Sequence, residues 1–570
     1  MTTLVLMWAD AVRRYGDRPA VQHDDVTLSY AELDRYANTI AWHLHRRGLR
    51  PEDRVAVCLP RGVDVLAAIL GVLKAGGAYV AVDPRYPDAR RDLMVEASGA
   101  VTTLTEAELP DRAAAEDGPP AVEVGPAHAA CVLFTSGSSG TPKAVVLEHR
   151  NVCGFARNSS LPPLRSTDRM GQISSLSFDA FHYELWCAVA HGAAIVVLPT
   201  IPEMLAADLR KELRRRRITA MLVPTMAVNH VVREDRDAFS SLRVLCTGGD
   251  VILPGTCREL LAGDFSGEFH NLYGPTEATT ACTAYPVVDV PAQAESVPIG
   301  HPVAGARVYV LDEALRPVAA DASGQLYVGG HGVGRGYLGN PGLTAERFLP
   351  DPFQPGGRMY ATGDLARRRP DGALEFLGRA DRQVKVRGYR VELGEVERVL
   401  GGHPQVREVA VLTAGDGQDR ALVAVVTRHG PVHPDELRAY AAELMPQHMV
   451  PSAFLVVAEM PASDHGKRDW QALERLCEAE RARRSAHAPP STPGEVLLAG
   501  IWAELLAVEV VGADDDFFGL GGNSMMAFRA QQRIRRQTGV VLDFRDIFAR
   551  PVLRELAAFL DQQAQPEVVA

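Results

Sequence analysis

The stretch Leu133–His149 reads LFTSGSSGTPKAVVLEH and places small hydroxyl residues, two glycines and a lysine between apolar flanks. Thr135, Ser136, Ser138, Ser139 and Thr141 carry the hydroxyls, and Gly137 and Gly140 remove bulk so that backbone amides can close on a ligand. Lys143 adds a point charge. That combination is what a chain uses to wrap an anion, above all a phosphate. The common nucleotide loop needs G-x-x-x-x-G-K-[ST]. Here Lys143 lies between Pro142 and Ala144, so the loop is of another kind. It follows the apolar run Ala129–Phe134, which puts its glycines where a buried strand ends.

Elements able to hold such a loop are legible on both sides of it. Arg54–Pro60 (RVAVCLP), Ala193–Pro199 (AAIVVLP), Thr219–Pro224 (TAMLVP) and Arg243–Gly249 (RVLCTGG) read as buried strands. They alternate with helical patterns such as Asp64–Gly76, which Gly76 and Gly77 end. Repeated β-α alternation predicts a layered α/β domain with largely parallel sheets over residues 1–380. The run Arg214–Arg217 reads as the solvated end of a helix beginning near Met204, where cations favour the dipole.

A smaller unit follows at 381–480, with strand-helix-strand-strand-helix order that predicts a compact α+β lid. Residues 481–491, charged and Pro-rich, read as a linker. Residues 492–565 are helical and apolar in pattern and predict an all-α bundle of four helices, large enough to fold alone.

The totals narrow the function classes. The chain has 570 residues, a net charge of −11, 46% apolar and 23% charged residues. The acidic balance disfavours a nucleic-acid binder, which needs a basic face. No apolar run approaches the roughly 20 residues that span a bilayer. The N-terminus lacks the pattern of a secretory signal. Eight scattered cysteines without a C-x-x-C pair suit reduced thiols, and the expected location is the cytoplasm.

Further segments stand in a fixed order around the loop: LSYAEL (28–33), LKAGGAYVAVDP (73–84), NLYGPTEATT (271–280), YATGDL (360–365), GRADRQVKVRGYRVELGEVE (378–397) and DHGKRD (464–469). Together with the loop they resemble the adenylation domains of nonribosomal peptide synthetases, within the wider acyl-adenylate-forming superfamily, up to about residue 475. The resemblance implies that the loop holds the β- and γ-phosphates of ATP while a carboxylate attacks the α-phosphorus. Pyrophosphate leaves and an acyl-adenylate remains. Such a transfer rests on positioning and charge neutralisation.

The resemblance also assigns roles. Tyr273 stacks on adenine, Thr276 contacts the α-phosphate, and Glu277 holds Mg²⁺. Asp364 accepts the ribose hydroxyls and Arg379 reaches the ribose from the other side. Lys467 bridges the substrate carboxylate and the nucleotide. Asp381 is the hinge about which the lid turns, exchanging Lys467 for the segment around Gly388 so that a thiol can enter. DDDFFGLGGNSMMAF (514–528) resembles the attachment motif of peptidyl carrier proteins, with Ser524 as the 4′-phosphopantetheine site. A serine opening a helix is ordinarily a cap, and the same location suits a phosphodiester.

Asp179, in the FDxxxxEL segment, matches the aspartate that binds the substrate ammonium in α-amino-acid-activating members. The remaining pocket positions fall on Ala180, Tyr183, Leu222, Cys246, Gly248, Leu272, Thr280 and Ala281. None is charged, so a charged substrate side chain would be desolvated without a partner. The expected substrate is an uncharged, largely apolar amino acid, aliphatic before aromatic. The expected enzyme is a free-standing loading didomain of natural-product (antibiotic) biosynthesis. Its expected partners are a phosphopantetheinyl transferase, downstream condensation or tailoring enzymes, and in many such domains an MbtH-like helper. Two rivals stand beside it: an aryl- or fatty-acyl-AMP ligase fused to an acyl carrier, and a degenerate docking scaffold. Asp179 argues against the first and the intact chemical motifs against the second.

Overall fold

The computed structural model describes residues 2–112, 114, 116, 118–137, 142–206, 208–381, 383–386, 389–415, 420–461, 468–484, 489–506, 508, 510–517, 520, 522, 524–540, 542, 546–547 and 550–564. Contacts divide the chain into two compact units, Met1–Pro199 with Arg210–Glu392, and Thr200–Leu209 with Leu393–Ala570.

Among the described residues, the first unit holds three large sheets and a two-stranded one formed by Gln383–Val386 and Tyr389–Glu392. The first joins nine strands, with Glu268–Tyr273, Val244–Gly248, Ala220–Pro224, Arg169–Gln172 and Ala194–Val197 as its parallel centre and antiparallel strands at both edges. The second joins six, with Ala129–Thr135 parallel to Ala78–Ala81 on one side and antiparallel to Lys143–Glu148 on the other. The loop between these last two strands is the anion loop. The predicted parallel α/β layers are therefore present. The third sheet is antiparallel throughout (Ala306–Leu311, Ser323–Gly330, Arg358–Arg368, Phe348–Pro350 and Leu374–Arg379), and apolar runs in the sequence do not announce it.

Helix Val63–Lys74 (VDVLAAILGVLK) shows why the layers hold. It is apolar on every side and, apart from Asp64, all of its residues are buried. A helix of this kind is stable only inside a core, and each fully buried Leu or Val contributes about 1.5–3 kcal/mol. Gly76, at φ +86°, lets the chain turn out of it, as predicted. Its partner Tyr30–Arg46 begins in a capping box, with Ser29 Oγ accepting from Glu32 N and the Glu32 carboxylate from Ser29 N. Lys74 is nearly buried and finds its countercharge in Asp34, with Asn38 Oδ1 2.6 Å away.

The helix predicted to run from Met204 to the arginine cluster is instead two helices, Ile201–Ala206 and Leu209–Arg215. Asp208 lies between them at φ +71°, a conformation that ends a right-handed helix.

In the second unit, Leu393–Gly401 and Pro434–Leu444 are helices, and strands Val406–Ala414, Ala421–Arg428 and Ala453–Val456 form one sheet. The last strand and the helix Trp470–Arg484 add to the predicted order, and that helix takes in residues 481–484 of the predicted linker. In the carrier segment, Pro493–Leu506, Ser524–Thr538 and Leu553–Ala564 are the long helices described. They close on a core that includes Trp502, Phe517, Ala527, Ile534 and Leu556.

Candidate active site

The carboxyl ends of parallel strands in an α/β sheet are where ligands sit, and the predicted pocket residues lie there. Register pairs Leu222 with Cys246 and Gly248 with Leu272 across three adjacent strands. Leu222, Cys246, Leu272, Ala281 and Tyr183 are buried, while Ala180 and Gly248 are partly open. Cys246 Sγ donates to the Tyr183 hydroxyl at 3.2 Å, which leaves the two polar groups of this wall satisfied by each other. Gly248 permits a close approach, because a Cβ there would lie 2.6 Å from the Leu272 carbonyl oxygen.

Asp179 precedes the short helix Ala180–His182, which continues as a π-helical turn over Tyr183–Cys187. Its segment is tied down by Glu184, which accepts from Ile173 N, Ser174 N and Gln172 Nε2, and whose carboxyl burial pushes up to about 7. Asp83 accepts from Ser175 Oγ at 2.5 Å. Thr279 and Thr280 both lie in the left-handed region, at φ +63° and +66°. Thr280 Oγ1 donates to the Asp179 carbonyl and Thr279 Oγ1 to that of Gly332. Threonines in that region store strain, and these hydrogen bonds hold them in it.

The Asp179 carboxyl is pushed up to about 6, first by desolvation and then by the nearby Glu277 charge, despite a hydrogen bond from Thr276. The residues predicted to meet the ammonium, the α-phosphate and the metal are therefore adjacent. Glu277 itself is fully buried and accepts from the Tyr337 hydroxyl and from Arg390, each at 2.9 Å. Burial alone would push its carboxyl up, but the Arg390 guanidinium, together with hydrogen bonds from its own backbone amide and from Tyr337 and Tyr360, holds it below the usual range.

Of the predicted anion loop, Thr135, Ser136 and Lys143 are placed. Ser138, Ser139 and Gly140 lie outside the described residues, and Gly137 borders them. Thr135 Oγ1 is buried and, among the described residues, has no hydrogen-bond partner, an arrangement that asks for an explanation in a native fold. Ser136 Oγ donates to the Arg390 carbonyl at 2.8 Å, and Lys143 Nζ lies 2.9 Å from Glu392 Oε1, with both side chains buried. Arg390 and Glu392 contact predicted site residues, and Gln383 hydrogen-bonds to both; motif reading does not single out any of the three. The available signal is the alternation R-V-E at 390–392, which places both charges on one face of a strand.

On the nucleotide side, the buried Tyr273 donates its hydroxyl to Asp364, and Arg379 pairs with Asp364 and with Asp381, 2.7 Å from the latter. The Asp381 carboxyl is raised by burial but more strongly lowered by Arg379. Lys385 Nζ lies 6.0 Å from the Tyr273 ring centre, within reach of a cation–π attraction. The structure thus brings Tyr273, Asp364, Arg379 and Asp381 together. Lys467 and Gly388 lie outside the described residues. Ser524 is the first residue of the helix Ser524–Thr538.

With this geometry in place, comparison with known proteins is informative. The AMP-binding enzyme family matches residues 8–338, which is more than half of the chain. The chain belongs to that family. The AMP-binding enzyme C-terminal domain matches residues 395–467 and the phosphopantetheine attachment site residues 496–560. The structure of holo-PA1221, an NRPS protein containing adenylation and PCP domains bound to a vinylsulfonamide inhibitor, superposes with a TM-score of 0.84. It has 27% identity, over 98% of this chain and 97% of that one. Tyrocidine synthase 3 of Brevibacillus parabrevis is 37% identical over 99% of this chain, and phosphinothricin tripeptide synthetase PhsC of Streptomyces viridochromogenes is 37% identical over 98%. The chain spans only 9% of the first and 53% of the second. It is an adenylation and carrier didomain of the nonribosomal peptide synthetase type. No described helix is long and apolar enough to cross a membrane.

The residues present fit the groups this family uses. Among the described residues no cluster of three or more His, Cys, Asp or Glu could hold a metal unaided. Magnesium, however, takes one or two carboxylates and completes its shell with phosphate oxygens and water. The buried, ionised Glu277 offers such a carboxylate. The ion, when bound, supplies charge neutralisation for the departing pyrophosphate. The hydroxyl-bearing Ser524 begins a 15-residue helix, a location suited to the phosphodiester of phosphopantetheine, whose contribution is a thiol on a long arm.

Proposed function

We propose that this didomain activates an uncharged, largely apolar α-amino acid with ATP and loads it onto its own carrier. The observation that carries the reading is Asp179: a carboxyl raised to about 6 by desolvation, beside Thr276 and the pocket walls. Such a carboxylate gains most from a cationic partner, and the ammonium of an amino acid supplies one. Leu222, Leu272 and Ala281 offer apolar contact, and the Cys246–Tyr183 pair offers no charge. These features favour an aliphatic side chain, with an aromatic one next.

In this reading Asp179 orients the amine while Lys467 holds the acid group against the nucleotide. Tyr273 and Asp364 fix adenine and ribose, and Thr135, Ser136 and Lys143 draw negative charge away from the α-phosphorus as the substrate oxygen attacks it. Preorganised donors of this kind act without reorganising during the reaction. Asp381 then serves as the hinge that admits the carrier thiol. A phosphopantetheinyl transferase, downstream condensation or tailoring enzymes and an MbtH-like helper are its partners, in antibiotic-type natural-product biosynthesis.

ATP–pyrophosphate exchange across the amino acids tests the first half. Exchange confined to apolar side chains and lost in Asp179→Asn supports it. Exchange with aryl or fatty acids that survives this substitution overturns it in favour of an acyl-AMP ligase. Intact-mass measurement after treatment with a phosphopantetheinyl transferase tests the second half, with Ser524→Ala expected to lose the mass gain while keeping exchange.

A further inference from the structure

Residues 173–179, which carry the chain from strand Arg169–Gln172 to Asp179, belong to neither helix nor strand. Their backbone groups must find partners outside a ladder. Two side chains of opposite charge supply them. Glu184 Oε1 accepts from Ile173 N and Ser174 N, each at 3.1 Å, and from Ser174 Oγ at 2.9 Å. Arg61 Nη1 donates to the carbonyls of Gln172 at 3.3 Å and Ile173 at 3.2 Å, and to that of Leu198 at 2.9 Å.

These contacts fall on the same two peptide groups. The peptide joining Gln172 to Ile173 turns its N–H to the carboxylate and its C=O to the guanidinium, and the peptide joining Ile173 to Ser174 does likewise. Both dipoles lie between the charges with the favourable sign at each end, and hydrogen bonds to charged groups are about twice as strong as neutral ones. Glu184 also lies in the π-helical turn Tyr183–Cys187, beside the pocket residue Tyr183. It therefore closes the loop that bears Asp179 onto itself, while Arg61 ties the entrance of that loop to Leu198, at the end of strand Ala194–Val197. Farther along, Ser175 Oγ donates to Asp83 and Ser177 Oγ to the Ala81 carbonyl. The grip on residues 172–174 is thus passed toward Asp179 through a fixed chain.

We propose that Glu184 and Arg61 are positioning residues for amino-acid recognition: by gripping these two peptide groups they set the direction in which the Asp179 carboxylate meets the substrate ammonium. The inference rests on the reading of Asp179 as the ammonium partner, and it adds two residues on which that contact depends.

The test compares two ligands by calorimetry on the full chain. Leucyl sulfamoyl adenosine carries the ammonium, and 4-methylpentanoyl sulfamoyl adenosine is the same molecule without it. Wild-type protein should bind the first at least about tenfold more tightly, the worth of a hydrogen bond to a charged group. Glu184→Gln keeps the side-chain volume but sets an amide N–H₂ against the Gln172 Nε2 donor, which now lies 3.0 Å from the carboxylate. Arg61→Met keeps the stem and removes the charge. Each should reduce the preference to about threefold or less by weakening the leucyl ligand alone, with affinity for the 4-methylpentanoyl ligand unchanged. A role in folding alone would weaken both ligands together. That result, like full preference retained in both variants, overturns the proposal. Wild-type protein without a preference for the leucyl ligand overturns the reading of Asp179 itself, and this inference with it. Arg61 is only partly buried, so its variant decides the matter should Glu184→Gln not fold.

Discussion

Thr280 Oγ1 donates to the backbone carbonyl of Asp179 at 2.9 Å, joining two segments 101 residues apart in the chain. Thr280 holds φ +66° to do so. A branched residue there costs about 1–3 kcal/mol, and the hydrogen bond returns only about 1 kcal/mol. Thr280→Gly should therefore leave thermal stability unchanged or slightly higher, because lost strain offsets lost hydrogen bonding. The same substitution frees the turn that aims Asp179, so KM for the amino acid should rise several-fold while KM for ATP stays put. Melting curves and steady-state exchange kinetics check both halves.

The second prediction concerns pH. The Asp179 carboxyl is raised to about 6 in the folded protein, against an ordinary value of 3.8, so the folded protein holds this proton more tightly than the unfolded chain does. Its contribution to stability is therefore present below the unfolded value and is lost as pH rises through about 6. At pH 8 the ionised group is a liability that Asp179→Asn removes. That substitution should raise the melting temperature at pH 8 and leave it nearly unchanged at pH 4. Substrate binding runs the other way, because the ammonium needs the ionised form. KM for the amino acid should rise as pH falls below about 6, approaching tenfold per unit well below it, and KM for ATP should not follow that profile.

What the sequence exposes and what it conceals divides along physical lines. Strands Ala220–Pro224 and Val244–Gly248 are readable because a strand buried on both faces must be continuously apolar. The strand Arg358–Arg368 is hidden, since RMYATGDLARR mixes arginines, a glycine and an aspartate, and its pattern answers to a site and a rim rather than a core. Asp179, Thr276 and Glu277 are legible as types from their motifs. The meeting of Asp179 with the neighbouring pair Thr276–Glu277 is not, because it joins segments about a hundred residues apart in the chain. The Arg390–Glu277 pair is the clearest case: 113 residues separate its members, and nothing local to either reveals the other. The split at Asp208 is concealed for a simpler reason, that apolar spacing can continue across a residue whose φ has already ended the helix.

A third prediction uses the buried pair Lys74–Asp34 to separate charge from structure. Burial lowers the Lys74 amine and the Asp34 charge raises it again, with the net result below the usual range. A pair of this kind is weak evidence of stabilisation, whereas breaking one leaves an uncompensated charge. Asp34→Ala should cost about 3–5 kcal/mol. Lys74→Met paired with Asp34→Leu should cost far less, or stabilise. Denaturant titrations of the single and paired variants, with unchanged m-values as the check on two-state behaviour, decide between these outcomes.

Gly248 carries the last prediction, because one methyl group there tests the pocket directly. The Cβ of Gly248→Ala would meet the Leu272 carbonyl oxygen at 2.6 Å, too close for real atoms, so one strand must move relative to the other. Forced packing of this sort costs about 1–3 kcal/mol, and the expected loss of stability lies in that range. The movement would take place beside Leu222 and Cys246, paired in register along the same strands, so it should narrow the side-chain pocket and leave Tyr273 and Asp364 in place. Exchange activity should then fall more for a bulky apolar amino acid than for a small one, with each methylene worth about 1–3 kcal/mol of discrimination. A uniform loss across substrates, with KM for ATP rising in parallel, would instead mean that the strand shift propagates to the nucleotide and that Gly248 does not border the side-chain pocket.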